Sequence, residues 1–446
     1  MNVFQKLESE VRSYSRSWPT VFTTAQGSRM YDEEGRSFLD FFAGAGGLNY
    51  GHNHPHLKTE LMRYLAADSV VHSLDMHTVA KRRFLEAFQR VVLGPRKLGY
   101  KVQLPGPAGT SAVEAALKLA RKYTGRQTVI AFTNAFHGMS LGSLAVTGNA
   151  AKRASAGVPL AHTVTMPYDG YLDGRVPDFQ LLERMLEDSG SGLDRPAAVI
   201  VETVQGEGGV NVAGPQWLCG LADLCKRHDM LLIVDDVQMG CGRTGPFFSF
   251  ETAGIVPAIV CLSKSLSGYG LPLALTLFPP ELDVWAPGEH SGTFRGSDPA
   301  FVTAAAALDF WTGEGLEQQT AAKGDLVRRA LRSLANEHRG LVTEVRGRGL
   351  VWGLAFAEPA RAAAVCRAAF ERGLLVETSG PKGEVVKLLP PLTTTERELD
   401  EGLEILARAL ETLAREPSGP PDAGSGGGVD SKSAGDQNHA NRKLSY

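Results

Sequence analysis

Two short apolar runs that stop abruptly at polar side chains constrain this chain more than any other feature. The first is Leu231-Leu-Ile-Val-Asp-Asp-Val-Gln-Met-Gly, and the second, further along, is Ile259-Val-Cys-Leu-Ser-Lys-Ser. Runs that are apolar at every position, rather than at alternate ones, belong to strands buried on both faces, as in parallel sheets covered by helices. In such sheets ligands bind beyond the carboxyl ends of the strands. The pair therefore delivers a carboxylate, Asp235, and an amine, Lys264, to one edge.

The surrounding pattern agrees with that sheet. Short apolar runs at Lys101-Val-Gln-Leu, Thr128-Val-Ile-Ala-Phe, Ala197-Ala-Val-Ile-Val and Leu273-Ala-Leu-Thr-Leu-Phe alternate with helical patterns. Alternation of this kind predicts an α/β fold with a largely parallel sheet and helices on both faces. Upstream, Val21-Phe-Thr-Thr, Arg29-Met-Tyr and Phe38-Leu-Asp-Phe-Phe read as a small β meander with turn glycines at Gly27 and Gly35. Downstream of an apolar helical run at 300–311, strands and helices mix and end in a helix over 395–415, the pattern of a smaller α+β domain. The expected division is 1–52 as an N-terminal arm contributing to the small domain, 53–312 as the large domain, 313–416 as the small domain, and 417–446 as a disordered tail. That tail is rich in Pro, Gly, Ser and Asp and holds too few apolar residues to offset the entropy of ordering.

Composition narrows the function. At 43% apolar, 21% charged and net charge −3, the chain gives no electrostatic reason to expect nucleic acid or an anionic membrane as a partner. Charged residues at Lys6, Glu8, Glu10 and Arg12 precede any apolar run, so no signal peptide is expected and a cytoplasmic location is the default. The five cysteines show no C-x-x-C spacing and are expected to be small core residues. His52, His54 and His56 alternate around Pro55 with no carboxylate or cysteine beside them in sequence, so no metal site is expected.

An acid that keeps a pyridine nitrogen protonated and a lysine that attacks an aldehyde are the two groups a pyridoxal-phosphate enzyme requires. Asp235 emerges where its strand leaves the core; a turn or helix cap is the competing role for an aspartate there. Lys264 stands between two serines after a buried strand, where desolvation lowers its pKa and raises its neutral fraction. Gln238 lies one turn beyond Asp235, in reach of a ring hydroxyl. Pro107-Ala-Gly-Thr-Ser joins a strand to a helix, with Ser or Thr expected at the cap, and offers N–H groups at Gly109 and Thr110 to a phosphate. Phe136-His137-Gly138 can lay an aromatic face on the cofactor, and Glu202 and Glu207 follow a third strand to the same edge. Gly292-Thr-Phe-Arg-Gly forms a Gly-rich loop suited to reach a neighbouring subunit. A scaffold that keeps the fold without catalysis is disfavoured by the presence of both Lys264 and Asp235. A dinucleotide-dependent dehydrogenase is disfavoured because no G-x-G-x-x-G opens a helix after the first strand of the α/β region.

With these motifs in this order, Gly51-His, Gly109 with Glu114-Ala-Ala-Leu-Lys, Phe136-His-Gly, Gln205-Gly-Glu-Gly-Gly, Asp235-Asp-Val-Gln, Gly242-Arg-Thr-Gly, Ser263-Lys-Ser and Gly292-Thr-Phe, the chain resembles the class III (subgroup II) aminotransferases over roughly residues 20–415. The resemblance implies the fold type I of pyridoxal 5'-phosphate enzymes and a homodimer or higher homo-oligomer. It further implies Lys264 as the cofactor-bearing lysine, Asp235 at the pyridine nitrogen, Gln238 near the ring hydroxyl, Phe136 on the ring, Gly109 and Thr110 on the phosphate, and Thr293 on the phosphate of a partner subunit. His137 is expected at the cofactor as well. Within that family, Phe42-Ala-Gly-Ala-Gly-Gly-Leu-Asn-Tyr-Gly-His, Val70-Val-His-Ser-Leu-Asp-Met and Val385-Val-Lys-Leu-Leu-Pro-Pro-Leu are similar to the ectoine-pathway enzymes that transfer an amino group from L-glutamate to L-aspartate 4-semialdehyde. The alternative is a relative acting on ornithine, 4-aminobutyrate or another diamine. Two positions depart from the wider family. Asp236 stands where Glu is usual, and Lys387 where many members carry an arginine that binds a substrate carboxylate and pairs with the residue matching Glu207. Lysine lacks the bidentate fork of arginine, which leaves the carboxylate anchor open between Lys387 and other groups.

Overall fold

The computed structural model describes residues 3–172, 179–313 and 315–415; the expected tail at 417–446 lies outside them. The N-terminal meander consists of β1 (Phe22–Gln26), β2 (Arg29–Asp32) and β3 (Ser37–Asp40), all antiparallel. A seven-stranded sheet follows, built from β4 (Lys101–Gln103), β5 (Val129–Phe132), β6 (Thr163–Met166) and β7 (Ala198–Val201). After a short hairpin of β8 (Val204–Gln205) and β9 (Asn211–Val212), it continues with β10 (Leu231–Asp235), β11 (Ile259–Leu262) and β12 (Leu275–Phe278). The strand order is β4-β12-β11-β10-β7-β5-β6, with β12 antiparallel to both neighbours and the pairs from β11 to β6 parallel.

Every residue of β5, β7, β11 and β12 is buried, which is why those runs read as continuously apolar. One face packs against the helix Gly109–Thr124 through Ala112, Val113, Ala116 and Leu119, the other against Pro215–Arg227 through Trp217, Leu218 and Leu221. The edge strand β6 has no fully buried residue. Its mixed sequence, Thr163-Val-Thr-Met, does not stand out as an apolar run, and it was not among the expected strands.

A second sheet, β13 (Val342–Arg348), β14 (Val351–Phe356), β17 (Val385–Leu388) and β16 (Glu377–Ser379), lies in the C-terminal region in that order, all antiparallel. It shares its core with the helices Gly315–Glu337, Pro359–Glu371 and Glu396–Arg415. The meander is completed by β15 (Leu374–Leu375), parallel to β3. Residues more than 300 apart in sequence thus share one sheet.

The alternating histidines find separate partners. His52 Nε2 lies 2.8 Å from Asp40 and His56 Nε2 2.9 Å from Asp309, so both have carboxylate partners, distant in sequence, and each goes to a different one. The cysteine expectation holds for Cys225, Cys241 and Cys261, which are buried; Cys219 and Cys366 are only half-buried.

Candidate active site

The carboxyl ends of β5, β7, β10 and β11 converge on a cavity of about 170 Å³ whose walls include Gly109, Phe136, Asp235, Gln238, Glu207 and Lys264. Thr110, His137 and Glu202 line it as well. Residues expected at the site from five separate stretches of sequence therefore meet in one place. Thr293 does not: it is exposed, on a turn of 3-10 helix at Thr293–Arg295.

Asp235 ends β10. His137 Nδ1 donates to its Oδ2 across 2.7 Å, and both side chains are buried. Burial works against the imidazolium, yet the hydrogen bond and charge of Asp235 overcome it and raise the His137 pKa. The histidine partner keeps a buried carboxylate from standing alone. Glu202, beyond the end of β7, accepts from the Phe136 N–H at 2.9 Å, and burial pushes its pKa up to about 7.

Lys264 follows β11 with a φ of 50°, a left-handed conformation that a lysine adopts at a strain of about 1–2 kcal/mol. The flanking serines hold it there. Ser263 Oγ donates to the Leu273 carbonyl at 2.8 Å, and Ser265 Oγ donates to the Gly46 carbonyl at 2.8 Å while accepting from Asn49 N–H. The Lys264 ammonium donates to the Ala45 carbonyl at 2.9 Å, as does Gln238 Nε2. Burial lowers the Lys264 pKa; Glu207 opposes that and Lys387 adds to it.

The carbonyl they share belongs to a segment that sequence reasoning left without a role. Residues Ala43, Gly44, Ala45 and Gly46 all have positive φ, from 47° to 82°. This run turns the Ala45 and Gly46 carbonyls toward Lys264 and Ser265. Its signal in the sequence was the alternation of alanine and glycine.

The expected helix cap is also corrected. The helix Gly109–Thr124 is capped by Ala108, with no side-chain cap bond. Thr110 and Ser111 sit inside the first turn, and Thr110 Oγ1 donates to Ser143 Oγ at 2.9 Å. The helix therefore presents its first N–H groups to the cavity without a side chain competing for them, the arrangement that binds phosphate. A Cβ at Gly109 would come within 2.7 Å of Val237 Cγ1, so only glycine allows helix and loop to approach this closely.

Across the cavity, Glu207 connects the site to the C-terminal sheet. Its Oε1 accepts from Lys387 Nζ at 2.6 Å and from Gln238 Nε2 at 3.2 Å. Lys387, on β17, is fully buried and also lies 3.1 Å from Glu377 Oε1 on the neighbouring strand. Glu377 was not expected at the site from sequence. Burial raises the Glu207 pKa, but Lys387 and Lys264 more than reverse this and bring it down to about 2. Burial lowers that of Lys387, and the two carboxylates reverse it to a net rise. Asp236 faces away from the cavity, accepting from the Ser249 N–H at 3.0 Å; burial brings its pKa up to about 7.

The residues present fit a pyridoxal phosphate: an uncapped helix start for the phosphate, a histidine-backed carboxylate, an aromatic wall at Phe136, and a lysine of lowered pKa. The buried Gln238 Oε1 and His137 Nε2 have no hydrogen-bond partner among the described residues.

Comparison with known proteins agrees. The Aminotransferase class-III family matches residues 12–410. A diaminobutyrate–2-oxoglutarate transaminase of Streptomyces avermitilis is 66% identical over 416 residues, 93% of this chain and 98% of that protein. One of Virgibacillus pantothenticus is 54% identical over 93% of this chain and 100% of its own length. Among solved structures, the ornithine aminotransferase of Toxoplasma gondii superposes with a TM-score of 0.80 at 26% identity, covering 92% of this chain and 94% of that one. With a family match spanning nearly all of the described chain and relatives of this identity along it, the chain belongs to the class III aminotransferases.

Proposed function

We propose that the protein transfers the amino group of L-glutamate to L-aspartate 4-semialdehyde, giving L-2,4-diaminobutyrate and 2-oxoglutarate, with pyridoxal 5'-phosphate as cofactor. The observation that carries this reading is the near full-length likeness to the transaminase of that name in Streptomyces avermitilis. The chain's own motifs support it independently. A role in ectoine synthesis, a cytoplasmic location and a homodimer belong to the same proposal. No described helix is long and apolar enough to cross a membrane. The division at 52, 312 and 416 is likewise proposed, supported by the seven-stranded sheet lying before residue 312 and the β13-β14-β17-β16 sheet after it.

When bound, the cofactor supplies an electron-withdrawing ring that accepts and passes on an amino group. Asp235, backed by His137, holds the pyridine nitrogen in its charged form. Gly109 and Thr110 would hold the phosphate at the helix start, Phe136 would lie against the ring and Gln238 would take its hydroxyl. Lys264 Nζ attaches the cofactor, its lowered pKa favouring the neutral amine. When free of the cofactor, Lys264 Nζ would be placed to take a proton from the substrate's reacting carbon. Thr293 reaches the phosphate of a second copy's cofactor, so activity should fall in parallel with dissociation on dilution; a fully active monomer would overturn this.

Two substrates of different shape must use one site. Glutamate brings a carboxylate next to the reacting carbon; diaminobutyrate, reacting through its terminal amine, does not. The Glu207–Lys387 pair supports a switch between them: Glu207 stays on Lys387 for the diamine and yields to the α-carboxylate of glutamate. A donor and acceptor panel with purified holoenzyme tests the assignment. Ping-pong kinetics with glutamate and the semialdehyde are expected, with diaminobutyrate preferred in reverse by about tenfold or more over ornithine and 4-aminobutyrate. A higher kcat/KM for ornithine or 4-aminobutyrate would refute the substrate while leaving the aminotransferase standing.

A further inference from the structure

The switch accounts for one carboxylate only, the one beside the reacting carbon of glutamate. The far carboxylates of the two substrates remain, and covalent geometry makes them equivalent. In glutamate the side-chain carboxylate carbon is three bonds from the carbon that bears the reacting amine. In diaminobutyrate the α-carboxylate carbon is also three bonds from the carbon bearing the terminal amine. Ornithine needs four. One fixed cation at the far end therefore serves both substrates of the proposed reaction without moving.

A wider cavity of about 770 Å³ opens outward from the site. It shares Glu207 with the inner cavity and is lined further by Tyr14, Lys152, Arg367 and Glu377. The Lys152 ammonium lies 4.1 Å from the centroid of the Phe136 ring, the aromatic wall of the inner cavity. Among the described residues it makes no ion pair. Its backbone is well held: Asn149 Oδ1 caps the turn by accepting the Lys152 N–H at 3.0 Å, and the adjacent Arg153 donates to the carbonyls of Ala145 and Thr147 at 2.9 Å each. A cation over an aromatic face gains little at a partly exposed site, less than a carboxylate partner offers in a cleft.

Building on the reading above, we infer that Lys152 binds the carboxylate far from the reacting carbon, the side-chain carboxylate of glutamate and the α-carboxylate of diaminobutyrate alike. Lys387 then deals with the near end of the site and Lys152 with the far end. Specificity against ornithine then follows from its extra bond between the reacting carbon and the far carboxylate. Removal of the charge affects ground state and transition state together, so it appears in KM more than in kcat.

The test uses the full-length holoenzyme with Lys152→Met, Lys152→Arg and Arg367→Met, measured against two pairs of amines that differ only in the far carboxylate. These are glutamate against 2-aminobutyrate, and diaminobutyrate against 1,3-diaminopropane. Lys152→Met is expected to raise KM for glutamate and for diaminobutyrate about tenfold, Lys152→Arg to restore most of it, and neither to change kcat/KM for 2-aminobutyrate or 1,3-diaminopropane, which lack the far carboxylate. A role confined to holding Phe136 would cost all four amines equally, and that outcome overturns the inference. So does an unchanged glutamate KM, or the carboxylate-dependent loss appearing in Arg367→Met instead. Glutamate is the donor whichever acceptor is preferred, so its arm tests Lys152 even where the diaminobutyrate assignment fails.

Discussion

The two sides of the active site are built differently. On one side, Asp235 and Lys264 each stand at or within two residues of the end of a buried parallel strand, and their position follows from where the apolar run stops. On the other side, Glu207 comes from a loop beyond the large sheet while Lys387 and Glu377 come from two neighbouring strands of the C-terminal sheet, and their meeting with Glu207 depends on how the C-terminal region docks. The first side holds its groups by local geometry and hydrogen bonds from serine and histidine. The second holds them by charge, with one buried ammonium between two carboxylates. Mutation should accordingly damage chemistry on the first side and folding on the second.

The largest effect tests the first half of that contrast. Lys264→Ala removes both the point of cofactor attachment and the proton carrier, and turnover is expected to fall at least about ten-thousandfold with little change in the urea midpoint. Asp235→Asn should lose about a hundredfold. Borohydride reduction of the holoenzyme that labels any lysine other than Lys264 would break the assignment.

On the second side, Lys387→Met leaves Glu207 and Glu377 facing each other without a counter-ion. Removing one partner of a buried ion pair destabilises by about 3–5 kcal/mol, to be read as a lower urea midpoint. A Lys387→Met protein as stable as the parent would erase the distinction between the two sides.

The smallest effect concerns pH. Asp236 has its pKa raised from 3.8 to about 7 by burial. Below 3.8 the group is protonated whether folded or unfolded. Between 3.8 and about 7 only the folded chain keeps the proton, so this residue makes stability fall as pH rises through that window. Asp236→Asn should flatten the decline in Tm between pH 5 and pH 8 by about one to two degrees. An unaltered profile would mean that the carboxylate is ionised throughout.

The sequence by itself determined the sheet, the residues at its edge and the order of the motifs, because burial on both faces leaves a continuous apolar run and an abrupt polar end is visible without coordinates. It missed β6, whose position at the edge of the sheet asks for no such run. It placed Ser or Thr at the cap of the helix that Ala108 caps, because cap propensity says nothing of a helix start kept open for a ligand. Only the tertiary structure brought Ala45 to Lys264, Glu377 to Lys387 and Lys152 to Phe136. Each of those contacts joins segments whose local patterns are ordinary, and their meaning arises from docking or strand register, where a lone carbonyl, carboxylate or ammonium acquires a partner that spacing along the chain does not encode.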